Sequence, residues 1–215
     1  MDVDSSIGDL FAGVRDRLTP VLDRSTSADG NDPPTSSEPS DGPHPDQGDG
    51  DVAGRALRSF DERILHPDLV ALCRLDFHAE NYADASRRAT QYLSQEVLDR
   101  CRDELQRREH ARASAANREP SLLKDGSALM EQVFSVGDPV LLVPPSMETE
   151  SDRSEQLGYG SLMKGAIAAF RNPRSHDVFF EDDPLHALLI IELVQHLLEV
   201  VANSNLVERP DAAGA

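Results

Sequence analysis

The feature that most constrains the fold is a long apolar segment near the C-terminus. The run Asp182-Asp183-Pro184 is a strong helix-start signal, because a carboxylate caps the first turn and proline is tolerated at the first helical position. The helix that it opens is predicted to run to about Asn203, with apolar residues on nearly all of its faces. A helix that is apolar all round must be buried. We therefore expect this helix at the centre of a core that other helices complete.

The segments upstream predict those other helices. A short helix is expected over residues 55–65, followed by two antiparallel helices over residues 67–79 and 82–108 with a tight turn between them. Residues 109–120 either extend the second of these helices or form a loop. The pattern is typical of a helical hairpin within a bundle.

Shorter segments complete the predicted bundle. Asp125 is expected to cap one helix, and residues 158–170 are expected to form another, in which small residues allow close helix approach. Residues 139–145 are apolar and flanked by prolines, which indicates either a packed extended loop or one edge strand. Residues 148–155 are predicted as an acidic loop. Because no βαβ alternation, glycine-rich phosphate loop or internal repeat is visible, we predict an all-α helical bundle with one short extended segment.

The chain is expected to have four parts. Residues 1–23 predict an amphipathic helix, and residues 24–54 are rich in Pro, Gly, Ser and Asp, which predicts a disordered acidic linker. The helical domain is expected over residues 55–205, with a tail over residues 206–215. The N-terminal helix either docks on its own domain or binds a partner protein, because both need an apolar stripe.

The charge of the chain indicates its environment. The formal net charge is −18, and 19 of the 21 basic residues are arginines. A dense carboxylate surface stays hydrated where salt screens charge over short distances, so we interpret the acidity as adaptation to a high-salt cytoplasm. No basic and apolar secretory signal is visible, and no apolar run is expected to reach the ~20 residues that cross a bilayer. We therefore expect a cytoplasmic protein with no membrane association.

The cysteines and most histidines do not indicate a metal site. Cys73 and Cys101 lie far apart in sequence, each in an amphipathic segment, and are interpreted as buried thiols. The histidines other than His176 share no metal-ligand spacing. Neither a metal ion nor a cofactor is expected.

The residues best suited to chemistry follow the predicted helix over residues 158–170. Arg171 and Asn172 close that helix, Pro173 forces the chain to turn, and His176 follows within one short loop. A guanidinium binds phosphate oxygens and stabilises the charge of a pentacovalent transition state. An imidazole takes a proton from a ribose 2′-hydroxyl or gives one to the leaving oxygen. The trio therefore suits phosphodiester cleavage, and this chemistry requires no metal ion.

These residues also carry a resemblance to a known family. Arg171-Asn172 followed by His176 resembles the Arg-x(4–6)-His motif of HEPN domains, in which a polar residue often follows the Arg. Its placement before the final helix, together with the upstream Asp125-Gly126 motif, resembles the Ymh-type family of uncharacterised prokaryotic proteins, which is usually grouped with HEPN domains. The resemblance covers roughly residues 60–203.

The resemblance implies a helical, dimeric domain. In many HEPN proteins the domain is a metal-independent endoribonuclease with a toxin–antitoxin or anti-phage role, which forms a 2′,3′-cyclic phosphate. Carried over, Arg171 is expected to bind the scissile phosphate of RNA, His176 to act as acid or base, and Asn172 to assist. A homodimer and a neutralising partner protein are also expected. The alternative is a non-catalytic interaction or nucleotide-binding module, in which Arg171 and His176 only cap a helix.

One basic segment, residues 100–118, lies in the otherwise acidic chain. With Arg174, three of its residues are candidate RNA contacts: Arg100, Arg107 and Arg108. The alternative is a solvated helix face with intrahelical ion pairs.

Overall fold

The computed structural model describes residues 49–172 and 181–209. This part of the chain consists of helices with one small sheet. The helices are α1 (Asp49–Arg63), α2 (Pro67–His78), α3 (Tyr82–Ala115), α4 (Gly126–Val133), α5 (Glu150–Ala166) and α6 (Pro184–Asn203). A π-helical turn (Ile167–Arg171) extends α5, and the strands are β1 (Leu141–Leu142) and β2 (Asn205–Leu206). The predicted all-α class is confirmed, whereas the predicted N-terminal helix over residues 1–23 and residues 24–48 of the predicted linker lie outside the described residues.

Helix α6 is central to the core, as its sequence predicts. It packs against α3, α1 and α2, and Ile191, Val194 and Leu197 on it are fully buried. Burying a side chain of this size contributes roughly 1.5–3 kcal/mol. The predicted start is also confirmed, since the Asp183 carboxylate accepts hydrogen bonds from the backbone N–H groups of the first turn.

The length of α6 corrects one expectation. The helix has 20 residues and is apolar enough, by length and composition alone, to cross a membrane. The expectation that no apolar run reaches this length is therefore wrong. A core helix of a soluble protein meets the same criteria, and α6 packs on three other helices. That the protein has no membrane association stays a prediction.

Two helices are longer than predicted. Helix α1 begins at Asp49 rather than near residue 55, so it takes in the end of the predicted linker. Helix α3 extends to Ala115, which resolves the alternatives for residues 109–120 as helix first and loop afterwards. Ala113 is buried, and Arg112 pairs with Asp138 at 3.1 Å, so the extension packs on the domain.

Helix α5 begins within the predicted acidic loop. Thr149 and Asp152 form a capping box, in which the Thr149 hydroxyl accepts from the Asp152 N–H and the Asp152 carboxylate accepts from the Thr149 N–H, both at 3.1 Å. The prediction of a loop over residues 148–155 is therefore wrong. Two of the acidic residues that suggested a loop, Glu150 and Asp152, instead lie in the first turn, where the helix dipole favours negative charge.

The short sheet joins the middle of the domain sequence to its C-terminal end. Leu141 pairs with Leu206 and Leu142 with Asn205 in antiparallel register, so the edge-strand alternative for residues 139–145 is correct. The buried Gln156 side chain satisfies the other edge of β1, donating to the Leu141 carbonyl and accepting from the Val143 N–H. The predicted tail therefore begins with ordered residues, because β2 includes Leu206.

The two thiols are buried, as expected. Cys73 and Cys101 are both inaccessible to solvent. Burial raises the pKa of each thiol to about 12. A thiol with so high a pKa is a poor nucleophile, so both cysteines act as small core residues.

Candidate functional site at the end of helix α5

The site begins where α5 changes from α-helical to π-helical geometry. The Asn172 N–H donates to the carbonyl of Ile167, five residues back, and this bond closes the wider turn. Ile167 is fully buried, and the turn packs against α3 and α4. A π-helical turn adds one residue to the helix and re-aims the side chains that follow, and such turns are frequent at functional sites. Here the re-aimed side chain is that of Arg171.

Arg171 forms a bidentate ion pair with Asp125. Its Nη2 lies 3.0 Å from Oδ2 and its Nη1 3.4 Å from Oδ1 of the carboxylate. Asp125 is the N-cap of α4, and its Oδ1 also accepts from the Gly126 N–H at 2.6 Å. The hydrogen bonds from Arg171 lower the pKa of Asp125 below its usual range. The carboxylate is therefore ionised at neutral pH and fixed to a helix start.

Gly126 leaves the space that the Arg171 guanidinium occupies. Its φ is +60°, a left-handed conformation that favours glycine. A Cβ at this position would lie only 3.0 Å from Nη1 of Arg171 and 3.8 Å from Cγ2 of Ile167. We call Asp125 and Gly126 together the Asp-Gly turn. Asp125 holds the guanidinium by charge, and Gly126 allows the backbone to approach it closely.

The ion pair lies at the surface rather than in the core. The exposed fraction of the side chain is 22% for Arg171 and 67% for Asp125. Part of the arginine side chain is thus accessible to solvent, while the rest is enclosed. A charge pair in this setting is weakly screened on the protein side and open to solvent on the other.

The predicted partners of Arg171 are described only in part. Asn172 is exposed and keeps helical geometry, so Arg171 and Asn172 end the helix together as predicted. His176 and Arg174 lie outside the described residues. That Arg171 and His176 share one space therefore stays a prediction.

An unanticipated histidine lies near the end of the π-helical turn. The rings of Phe170 and His186 meet edge to face, with centroids 6.2 Å apart. His186 Nδ1 lies 3.0 Å from Oδ1 of Asp182, whose side chain is almost completely buried. The sequence signal for this pair is an Asp four residues before a His at a helix start, a spacing that places both side chains on one face.

The candidate RNA contacts on α3 are mostly engaged within the protein. Arg108 is buried, and its guanidinium pairs with Glu104 at 2.6 Å and with Asp138 at 2.8 Å, so its assignment as an RNA contact is wrong. Arg107 is exposed but pairs with Glu104 as well, and Arg100 donates to the Ser204 carbonyl at 2.7 Å. The interpretation as a solvated face with intrahelical ion pairs is therefore confirmed for Arg107, whereas Arg108 forms an intrahelical pair but is buried. RNA binding by Arg100 and Arg107 stays a prediction.

Within residues 49–172 and 181–209, no three His, Cys, Asp or Glu side chains come close enough to hold a metal ion. The candidate site consists of an arginine, its carboxylate partner and an amide.

The fold and the site define an all-helical domain with an arginine held at the end of a π-helical turn. The chain belongs to the family described as a protein of unknown function (Hypoth_ymh), whose family model matches residues 63–201. The match includes both segments that meet at the site, the Asp-Gly turn and Arg171-Asn172. No match to a curated protein or to a solved structure was found. The Ymh part of the resemblance is thus confirmed.

Asp125 belongs to the site, although the Asp125-Gly126 motif alone does not reveal its contact with Arg171. Its role as a helix cap is visible in the sequence, but its contact with Arg171 joins residues 46 positions apart. The available signal was the occurrence of Asp125-Gly126 and Arg171-Asn172 in one family pattern, since a glycine with positive φ often permits a close approach.

Proposed function

We propose that this protein is a metal-independent endoribonuclease of the HEPN type. The observation that carries the proposal is the Arg171 guanidinium, held at an accessible surface by a fixed carboxylate and a glycine. Support also comes from the order of Arg171, Asn172 and His176 and from membership of the Ymh family. In this proposal Arg171 binds the scissile phosphate, Asn172 contacts the phosphate or ribose, and His176 transfers the proton.

The reaction follows from these groups. A base removes the proton of the ribose 2′-hydroxyl, whose oxygen then attacks the neighbouring phosphorus. Arg171 stabilises the added negative charge of the pentacovalent transition state. The bond from phosphorus to the 5′-oxygen breaks, and that oxygen takes a proton from an acid. The products are a 2′,3′-cyclic phosphate and a 5′-hydroxyl, and His176 serves as the acid or base.

Digestion of RNA in EDTA at high salt tests the proposal. Arg171→Ala and His176→Ala are each expected to lower the rate by roughly 10²–10⁴-fold, because each removes a group used in the transition state. Matched controls are Arg153→Ala, roughly 25 Å away along the helix axis at 1.5 Å per residue, and His196→Ala, an exposed histidine of α6. Equal activity in all five proteins would rule out the assignment.

The proposed biological setting is a toxin–antitoxin or anti-phage system. A homodimer would bring two copies of Arg171 to a shared cleft, and a neutralising partner protein would cover it. In a high-salt cytoplasm the net charge of −18 is screened, so acidity does not prevent binding of RNA.

A second candidate function is a non-catalytic interaction or nucleotide-binding module. The observation in its favour is that the charge of Arg171 is already matched by Asp125, so the pair also links α4 to α5. In that case Arg171→Ala would lower the free energy of unfolding without changing any RNA cleavage. Measuring stability beside activity therefore separates the two functions.

A further inference from the structure

We propose that the Asp-Gly turn, Asp125 and Gly126, positions Arg171 for the reaction, a role that rests on the proposed function because it takes Arg171 as the phosphate ligand. Asp125 and Gly126 would be positioning residues, which act on the substrate through Arg171. The inference adds a second segment of the chain to the site, 46 positions before the motif.

The carboxylate of Asp125 is held by its own helix. Its Oδ1 accepts from the Gly126 N–H at 2.6 Å, and its backbone has the extended conformation of an N-cap. This bond limits rotation of the carboxylate. The two contacts with Arg171 therefore define both the position and the plane of the guanidinium, as paired N–H···O contacts between Arg and carboxylate do.

Gly126 leaves room for the guanidinium beside the carboxylate. The 3.0 Å distance from Nη1 of Arg171 to a Cβ placed at Gly126 is closer than ordinary van der Waals contact. Any side chain at this position would displace the guanidinium, and a positive φ would strain it as well. The presence of glycine here thus follows from the position of Arg171.

The π-helical turn fixes the other end of the side chain. Ile167 is buried beneath the turn, so the backbone at Arg171 cannot rotate freely. Without the additional residue of the π-helical turn, Arg171 would point about 100° away around the helix axis. Arg171 is therefore constrained at its backbone by α5 and at its guanidinium by α4.

This arrangement has a catalytic consequence. A long arginine side chain loses rotamer entropy when a ligand orders it. An arginine ordered beforehand avoids that cost and meets the developing charge in the required geometry. The competing view is that Asp125 merely occupies the guanidinium and so keeps it from the phosphate. In that view, removing the carboxylate would make cleavage faster rather than slower.

Steady-state kinetics on the full chain distinguish these views. Asp125→Asn and Gly126→Ala are expected to lower kcat by on the order of 10²-fold while KM changes by less than about twofold, because orientation rather than charge attraction is lost. Controls are Asp84→Asn, which breaks an exposed ion pair with Arg87, and Gly158→Ala, where a Cβ has open space. Unchanged kcat in Asp125→Asn, or tighter RNA binding with faster cleavage, would overturn the proposal.

Chemical rescue provides a readout that a merely structural contact would not affect. Ethylguanidinium added to Arg171→Ala is expected to restore part of the cleavage, because Asp125 holds the free guanidinium where the side chain was. In the double variant with Asp125→Asn the rescue should disappear. Rescue that is equal in both proteins would exclude positioning by Asp125.

A spectroscopic measurement separates failure of this inference from failure of the proposed function. The Nη signals of Arg171 in the full chain should be resolved by NMR, because the carboxylate slows rotation of the guanidinium, and should average in Asp125→Asn but not in Asp84→Asn. If the wild type cleaves no RNA, the proposed function fails and this result still decides whether Asp125 orders Arg171. Averaged signals in the wild type would overturn the inference.

Discussion

Two glycines occupy close contacts that a side chain would obstruct. Gly126 lies against the guanidinium of Arg171, and Gly160 lies against Phe134, where a Cβ would come within 3.0 Å of the backbone carbonyl oxygen. Gly165, on the same helix as Gly160, has open space around it. The small residues of α5 therefore allow close helix approach at Gly160, as predicted, but not at Gly165.

This difference predicts opposite effects of alanine. Gly160→Ala should lower the free energy of unfolding by about 1–3 kcal/mol, because the backbone of Phe134 must move. Gly165→Ala should raise it by about 0.5–1 kcal/mol, because alanine costs less conformational entropy in a helix. Urea denaturation of both variants checks the pair, and similar destabilisation by both would contradict the contact geometry.

At the residue scale the sequence predicted the role of Asp125 as a cap but not its contact with Arg171. Capping is local and follows from residue type and spacing. The ion pair depends on how α4 and α5 pack, and no local pattern specifies that. The contacts of Arg100 with Ser204 and of Arg108 with Asp138 were missed for the same reason, since these partners lie on distant segments.

Among the elements, α5 shows how the composition of a segment can mislead a prediction even where a local capping signal is present. The high content of acidic residues over residues 148–155 suggested a loop, although Thr149 and Asp152 stand at capping-box spacing. The π-helical turn has no comparable local signal in the sequence. Its Ile167 is buried against neighbouring helices, a contact that only the tertiary structure determines.

The capping box predicts a measurable contribution. Thr149→Ala should lower the free energy of unfolding by about 1 kcal/mol, because the Asp152 N–H loses its acceptor. Ser151→Ala, an exposed change in the first turn, should stay within about 0.5 kcal/mol of the wild type. Equal values for the two variants by denaturant titration would show that the box does not stabilise α5.

On the scale of the whole molecule, a charged cluster ties the C-terminal strand to the bundle. Buried Arg108 pairs with Glu104 and Asp138 and donates to the Val207 carbonyl at 2.7 Å. The central position of α6 and the helical class were predictable from apolar periodicity. The anchoring of the segment after β2 was not, because Arg108 and Val207 lie 99 positions apart in sequence.

Removal of Arg108 tests this cluster. Arg108→Ala should lower the free energy of unfolding by about 3–5 kcal/mol, because it leaves the buried Glu104 carboxylate without its main partner. Arg107→Ala, which removes an exposed partner of the same carboxylate, should cost less than about 1 kcal/mol. Comparable losses in the two variants would contradict the dominant role of the buried pair.

The central claim, that this domain cleaves RNA without a metal ion at the Arg171 site, is tested most directly by the chemistry of the product ends. RNA should be digested by the wild type in EDTA and the fragments analysed by mass spectrometry. We predict fragments with a 2′,3′-cyclic phosphate and a 5′-hydroxyl, and none from Arg171→Ala over the same period. Intact RNA, or fragments with a 3′-hydroxyl and a 5′-phosphate, would contradict the claim.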